Sequence, residues 1–239
     1  MAKVKKKPPL DYEAVVSKSA GLVSDDLAYI IPMATFLVLT AAGGHWPTLY
    51  PYFYVARAAI VAVLLVTFWK HYTKVRWDYW WLGLIVGVIG IFQWVPMQLW
   101  LQNHTSWFPA AKDPFDPTKA FASPTIMWMF IIIRTASATL VVPVMEELFW
   151  RDYLWRYILA PNDFKLASVG EWAWAPFLIV SGAFATVHGN WWLTAIVWAL
   201  MIGGLLVYTR SIGACIIAHG TTNLLLAVYV LLWKDWGFW

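Results

Sequence analysis

Residues 125–156 of the chain read TIMWMFIIIRTASATLVVPVMEELFWRDYLWR, and this stretch decides the fold class. About 20 mostly apolar residues suffice for a helix to cross the hydrocarbon core of a bilayer. The stretch nevertheless carries the adjacent acids Glu146 and Glu147, with Arg151 four residues after the second. An ionisable side chain at membrane depth costs roughly 2.5–3.5 kcal/mol on insertion scales. Such groups persist when they are paired, protonated or used in chemistry, so the stretch predicts a membrane helix that carries a functional site.

The whole chain has the composition of an integral membrane protein. Of its 239 residues, 61% are hydrophobic and 13% are charged, whereas about 25% are charged in a soluble domain. The length predicts a single integral membrane domain over 1–239. The net charge is +4, with basic residues at the ends of apolar stretches, where they orient helices. We therefore expect membrane lipids as surroundings and no nucleic-acid partner, while the oligomeric state is left open.

Seven apolar stretches predict an all-α fold, a polytopic transmembrane helical bundle. The predicted spans are roughly 27–44, 52–70, 80–101, 125–156, 173–189, 191–209 and 211–232. An eighth, weaker span is an alternative within 8–26 or 102–123. The positive-inside rule places the basic segment 1–26, and with it the N-terminus, in the cytoplasm.

Polar residues of three predicted spans lie at comparable depth. If Arg134 and Arg156 mark the two interfaces, the segment between them covers about 33 Å, and Glu146 lies about 15 to 18 Å from either edge. The same rise per residue, counted from the nearest interface, places His188 about 21 Å deep and His219 about 13 Å deep. We therefore expect these side chains to meet within the membrane.

The spacing of the polar residues predicts separate tasks for the two acids. Glu147 and Arg151 share a helix face at i, i+4 and are predicted to pair. Glu146 points about 100° away and has no cation of its own, which is the situation of a general acid or base in a dry site. His219 shares a face with Asn223, again at i, i+4. A polar network that only holds helices together is the alternative interpretation.

Other chemistries use the same residue types. Glu146, His188 and His219 are a possible donor set for zinc, although an HExxH arrangement is absent, so metal binding stays open. No GxSxG turn surrounds Ser181. The only cysteine, Cys215, is a thiol in apolar surroundings, where thiols are usually inert.

Three short motifs, in order along the chain, resemble those of the type II CAAX prenyl endopeptidase and bacteriocin-processing family of intramembrane proteases. They are EExxxR as Glu146-Glu147-Leu-Phe-Trp-Arg151, FxxxH as Phe184-Ala-Thr-Val-His188 and HxxxN as His219-Gly-Thr-Thr-Asn223. The resemblance covers about residues 125–225, which would hold the catalytic motif helices. Within the family, the sequence is most similar to the CAAX-protease-related proteins that accompany bacterial exosortase systems.

The resemblance implies an intramembrane endopeptidase of the glutamic type in the bacterial inner membrane. Its substrate would be a membrane-associated peptide, lipidated and CaaX-like, and no cofactor is implied. Glu146 would activate the attacking water, with His188 holding and polarising that water. His219 and Asn223 would donate hydrogen bonds to the oxyanion of the tetrahedral intermediate.

The remaining motif residues would support the site. Glu147 and Arg151 would orient it as a structural pair, and Phe184 belongs to the same supporting set. Asp152 stands where the family usually has glycine, so its carboxylate is a competing partner for Arg151.

Two non-proteolytic functions fit the same residues. A membrane scaffold or immunity protein would bind a peptide or partner in the same pocket without cutting it. A proton-coupled transporter would use Glu146 as its carrier. Transport predicts polar pore-lining residues on several helices and repeated halves, and the sequence contains few such residues outside the motif helices and no evident repeat.

Overall fold

The computed structural model describes residues 24–239, which form a helical bundle and contain no β-strand. The helices are α1 (Asp25–His45), α2 (Tyr50–Thr67), α3 (Trp80–His104), α4 (Pro124–Leu159), α5 (Trp174–Thr186), α6 (Trp192–Thr209) and α7 (Ile212–Trp233). The predicted all-α polytopic bundle is confirmed. The basic segment predicted over 1–26, and the alternative span within 8–26, lie outside the described residues except for their last three positions.

Apolar helices occupy all seven predicted spans, and six of them are long and apolar enough to cross a membrane. The exception is α5, whose 13 residues cover about 20 Å. The fifth span was predicted to reach residue 189, but the helix ends at Thr186 because the chain turns at Gly189, where φ is +53°. Between the end of α3 at His104 and residue 123 the structure forms only the short helix Pro117–Ala120, so the alternative eighth span is absent there.

The N-termini of α1 and α7 are fixed by serine caps. The Ser24 hydroxyl accepts a hydrogen bond from the Leu27 amide, and the Ser211 hydroxyl accepts one from the Ala214 amide. Caps of this kind satisfy amide groups that have no partner within the helix. The Ser211 hydroxyl also donates to the carbonyl of Arg76, which ties the start of α7 to the segment before α3.

Close packing of α3 against α7 sets the height of the motif residues on α7. A Cβ atom at Gly87 of α3 would lie 2.6 Å from the Ala218 carbonyl oxygen, so only glycine allows the helices to approach this closely. One turn further along α7, the Thr222 hydroxyl donates to the Gly87 carbonyl at 3.0 Å. These contacts fix the α7 segment that carries His219.

The interior of the bundle is formed mainly by α6 and α7, the two most buried spans. The first of them packs against α5 and α3, and the second against α3 and α4. This arrangement places the polar segment of α4 against the centre of the bundle, where Glu147 is fully buried.

Candidate active site

The polar segment of α4 lies between two π-helical turns. Ser137–Val141 and Leu148–Leu154 are π-helical, and the α-helical piece Val142–Glu147 between them ends on the two acids. Pro143 is the second residue of this piece and lacks the amide hydrogen that a continuous α-helix would use. Single π turns occur frequently at functional sites, because they widen the backbone and redirect side chains.

The first π turn is the place where α7 contacts α4 most closely. A Cβ atom at Gly220 would lie 2.7 Å from the Thr139 carbonyl oxygen, so the backbones nearly touch. Three residues further along α7, the Asn223 amide donates a hydrogen bond of 2.8 Å to the carbonyl of Ala138. One amide hydrogen of Asn223 therefore holds the two helices together, and the second remains for another acceptor.

The predicted Glu147–Arg151 pair is present and includes a third member. The Arg151 guanidinium donates to Oε1 of Glu147 at 3.2 Å, and the same oxygen lies 2.8 Å from Nδ1 of His219. All three side chains are buried. The family resemblance implied for His219 only a hydrogen bond to the oxyanion, whereas the structure joins His219 directly to the supporting pair.

Phe184 and Asp152 complete the surroundings of Arg151 in different ways. The Arg151 guanidinium lies over the Phe184 ring, 4.7 Å from its centroid, a distance typical of a cation–π contact. The expected competition from Asp152 does not occur, because Asp152 accepts from Arg156 at 2.5 Å and from the Tyr29 hydroxyl at 2.6 Å. Arg151 is therefore left to Glu147.

His188 lies at the turn that follows α5, one residue beyond the helix C-cap, rather than within a helix as predicted. Its Nδ1 lies 2.7 Å from the carbonyl oxygen of Phe184, so Nδ1 carries the hydrogen of that bond. In the neutral ring Nε2 is then a free acceptor. The ring itself packs on Phe184, with centroids 4.3 Å apart.

Glu146, His188, His219 and Asn223 all line one cavity of about 110 Å³. A water molecule takes up about 30 Å³ in the liquid, so the cavity has space for a few waters. The Glu146 carboxyl is buried, and no hydrogen bond or ion pair to it is present among residues 24–239. The four residues predicted to be catalytic thus share one small cavity, and the carboxyl of Glu146 is free to bind a water molecule or a substrate group there.

The donors around this cavity do not form an evident metal site. Among residues 24–239 no group of three histidine, cysteine or acidic side chains is arranged to hold a metal ion. Nδ1 of His188 and Nδ1 of His219 are both used in hydrogen bonds within the protein. The zinc alternative therefore lacks support from the donor geometry and is left to a chelator experiment.

Two tryptophans that line the cavity were given no role by the sequence. They are Trp94 of α3 and Trp198 of α6. Both lie well inside their helices, a position that distinguishes them from interfacial residues at helix ends. Outside the cavity, the sequence also gave no role to Arg57, a lone arginine in the apolar sequence of α2, whose side chain is buried.

Residues 125–225 match the sequence model of a family described as type II CAAX prenyl endopeptidase Rce1-like. The matched range begins at the second residue of α4 and ends in α7, so it includes every residue of the three motifs. No curated protein and no solved structure matches the chain.

Proposed function

We propose, on the match of residues 125–225 to the Rce1-like family of type II CAAX prenyl endopeptidases, that the chain is a CAAX-type membrane protease and that it cuts its substrate with water activated by Glu146. The proposed substrate is a membrane-associated peptide, lipidated and CaaX-like at its C-terminal end. The kinship with exosortase-associated proteins stays a prediction of the sequence.

The observation that carries the mechanism is the free carboxyl of Glu146 in a cavity shared with His188. A carboxylate with no internal partner is available to accept a proton from water. The Nε2 acceptor of His188 offers that water a second hydrogen bond. Held by two acceptors, the water would turn a lone pair towards a carbonyl carbon that enters the cavity.

The proposed reaction has two proton transfers. In the first, Glu146 takes a proton from water as the water oxygen bonds to the scissile carbonyl carbon, and the carbonyl oxygen becomes an oxyanion. In the second, the C–N bond breaks and Glu146 returns the proton to the leaving nitrogen. The products are a new carboxyl end and a new amine.

The oxyanion would be stabilised from α7. Asn223 retains one amide hydrogen beyond the one given to Ala138. His219 donates from Nε2 when both of its ring nitrogens carry hydrogen, because Nδ1 faces Glu147. Donors fixed in advance around a developing negative charge are worth about 100- to 1,000-fold in rate each.

Glu147 and Arg151 would act as positioning residues. Glu147 holds His219 through Oε1, and Arg151 keeps the negative charge of Glu147 compensated inside the bundle. Phe184 packs between Arg151 and His188 and so connects the two halves of the site. None of these three side chains needs to touch the substrate.

The membrane setting follows in part from the helices. Six apolar helices and the family make this an integral membrane protein. We propose that it resides in a bacterial inner membrane with the N-terminus in the cytoplasm, since most basic residues lie at the ends of spans on that side. Lipids and a peptide or lipopeptide substrate are the proposed partners.

The test is cleavage of a quenched-fluorescence, farnesylated CaaX peptide by the purified protein in detergent. Wild type is compared with Glu146→Gln, which keeps the shape of the side chain and removes the base. Glu171→Gln is the matched control, because Glu171 lies outside the cavity and its carboxylate accepts from the Ser168 amide. Each protein is assayed with and without a strong chelator.

We expect cleavage by wild type and Glu171→Gln, a loss of at least about 100-fold in Glu146→Gln, and no effect of the chelator. Loss with chelator that zinc restores would replace the glutamate mechanism with a metalloprotease mechanism. Full activity of Glu146→Gln would refute the role given to this residue. Binding of the peptide by folded wild type without cleavage would favour the scaffold function.

A further inference from the structure

Two arginines in the membrane helices have no acidic partner among residues 24–239. Arg57 in α2 and Arg134 in α4 are only 8% and 7% exposed. Within residues 24–239 neither forms an ion pair, whereas the buried Arg151 and Arg156 each pair with an acid four residues away. Buried cations without a counter-ion are costly, and most proteins avoid them.

The two guanidinium groups lie against the same aromatic ring. Their central carbons are 4.3 Å and 4.7 Å from the centroid of Tyr54, for Arg57 and Arg134 respectively. Arg57 also lies over the Phe36 ring at 4.4 Å. Aromatic faces attract cations, but they supply only part of the stabilisation that a carboxylate gives. The two positive charges therefore lie no further apart than the sum of their distances to the Tyr54 centroid, and they repel each other.

Polar contacts leave both groups incompletely satisfied. Arg57 donates to the Thr40 hydroxyl and Arg134 to the Tyr50 hydroxyl. The Nε hydrogens of both arginines are buried and have no acceptor among the described residues. Two neighbouring guanidinium groups with unused donors are suited to an oxyanion, because the planar guanidinium matches a carboxylate or phosphate with parallel hydrogen bonds.

We propose that Arg57 and Arg134 bind the C-terminal carboxylate of the peptide substrate. This assignment rests on the proposed peptidase function. A terminal carboxylate supplies the missing negative charge, and it would fix how far the peptide extends beyond the scissile bond. Arg134 lies on α4, the helix that also carries Glu146, so the arginine pair and the cavity are connected through one helix.

The depth of Arg57 favours a peptide over a lipid headgroup. Arg57 is seven residues from the start of α2 at Tyr50 and ten from its end at Thr67, so it lies about 10 to 15 Å from either end. Lipid phosphates lie outside the hydrocarbon core, whose total thickness is about 30 Å. A peptide already inside the bundle can place its carboxylate at that depth.

Aromatic side chains separate Arg134 from an open groove of about 530 Å³. Phe115 lines this groove and packs on Tyr50, with ring centroids 4.8 Å apart. Trp236, also in the groove, stacks on Trp239, whose ring lies 4.7 Å from the Arg134 guanidinium. Movement of these rings would connect the carboxylate site with the groove and give the released peptide a way out.

The experiment measures binding rather than cleavage, in protein carrying Glu146→Gln. Two farnesylated CaaX peptides are compared, identical except that one ends in a carboxylate and the other in a carboxamide. Their affinities are measured by thermophoresis in nanodiscs of phosphatidylcholine, for protein with and without Arg57→Met or Arg134→Met. Arg76→Met is the matched control, because Arg76 is an exposed arginine that keeps its own acid, Asp78.

We expect the carboxylate peptide to bind at least about tenfold more tightly than the carboxamide, as for a charged group that loses its hydrogen-bond partners. Arg57→Met and Arg134→Met should remove this preference and leave the affinity for the carboxamide unchanged. Arg57→Lys should retain part of the preference, since the charge remains. Unfolding midpoints show which variants are folded, and the lysine variant serves if the methionine variant is not.

Equal affinity for the two peptides, equal weakening of both by Arg57→Met, or no binding of either would overturn the proposal. The pair would be assigned to a lipid phosphate instead if two results occur together. Native mass spectra would show phosphatidylglycerol bound to wild type but not to Arg57→Met, and wild type would bind the two peptides with equal affinity. The proposed function fails separately. If wild type binds the carboxylate peptide selectively but does not cleave it, the carboxylate site is supported and the peptidase function is refuted. If wild type cleaves both peptides equally, the peptidase function is supported and the carboxylate site is refuted.

Discussion

Replacing Gly220 with alanine tests whether the contact between α4 and α7 sets the geometry of the site. A Cβ atom there would lie 2.7 Å from the Thr139 carbonyl oxygen, and ordinary van der Waals contact begins at 3.4 Å. The difference between these values means that the helices must separate by roughly 0.7 Å, since packed interiors have little free space. The two backbones meet here, so no flexible side chain can absorb the shift.

A separation of this size would disrupt the contacts that hold the motif residues. The bond from Asn223 to the Ala138 carbonyl would lengthen from 2.8 Å to about 3.5 Å, beyond the usual hydrogen-bond range. A misplacement of about 1 Å can lower a rate about 100-fold, so we expect Gly220→Ala to lower kcat by about tenfold to 100-fold. Overpacking costs about 1–3 kcal/mol, and alanine returns about 1 kcal/mol of helix propensity.

The assay pairs cleavage of the farnesylated peptide with thermal unfolding in the same detergent. Because the net loss of stability is at most about 2 kcal/mol, the unfolding midpoint should fall by no more than about 8 °C. Gly204→Ala in α6 is the control, since a Cβ atom there meets nothing within 4 Å. It should keep the wild-type rate and unfold at the same or a higher temperature. If Gly220→Ala cleaves at the wild-type rate and unfolds like Gly204→Ala, the reasoning is refuted.

Three further substitutions separate stability from chemistry. Tyr29→Phe removes the hydroxyl that donates to Asp152. The protein should therefore lose about 1–3 kcal/mol of unfolding free energy and keep its cleavage rate. A lower cleavage rate at unchanged stability would contradict this expectation. Phe184→Leu removes the ring over which Arg151 lies. We expect a lower kcat with little change in KM in steady-state kinetics, and a loss of about 0.5–2 kcal/mol of unfolding free energy. A change in KM alone would place Phe184 in the substrate pocket. His188→Ala should slow single-turnover cleavage by at least about 100-fold with an almost unchanged unfolding midpoint, and a rate near wild type would remove His188 from the reaction.

The sequence was sufficient to predict the elements that depend on short-range spacing. The pairing of Glu147 with Arg151 follows from one helical turn, and it is present at 3.2 Å. The seven apolar helices follow from composition and length. The approach of Glu146 to His188 and His219 was expected from depth alone, and the structure places all three around one cavity.

What the sequence did not reveal depends on backbone irregularity and on long-range partners. Hydropathy cannot distinguish a helix from an apolar turn, so α5 was predicted too long and His188 was placed within it. The π turns on either side of the acids do not alter the apolar pattern. Arg57 gave a signal, a single charge in an apolar span, but its neighbour Arg134 lies more than seventy positions away along the chain. The residues between them gave no reason to connect the two.

The π turn Ser137–Val141 has a consequence for how the site is inherited. A π turn holds one residue more than the α-helical turn it replaces, and each residue rotates a helix by about 100°. A deletion of one residue here would straighten α4 and rotate Arg134 by that angle relative to Glu146, although no motif residue would change. A descendant could therefore retain EExxxR, FxxxH and HxxxN in full and still be inactive. A single-residue gap at this position, rather than motif identity alone, should distinguish inactive relatives from active ones.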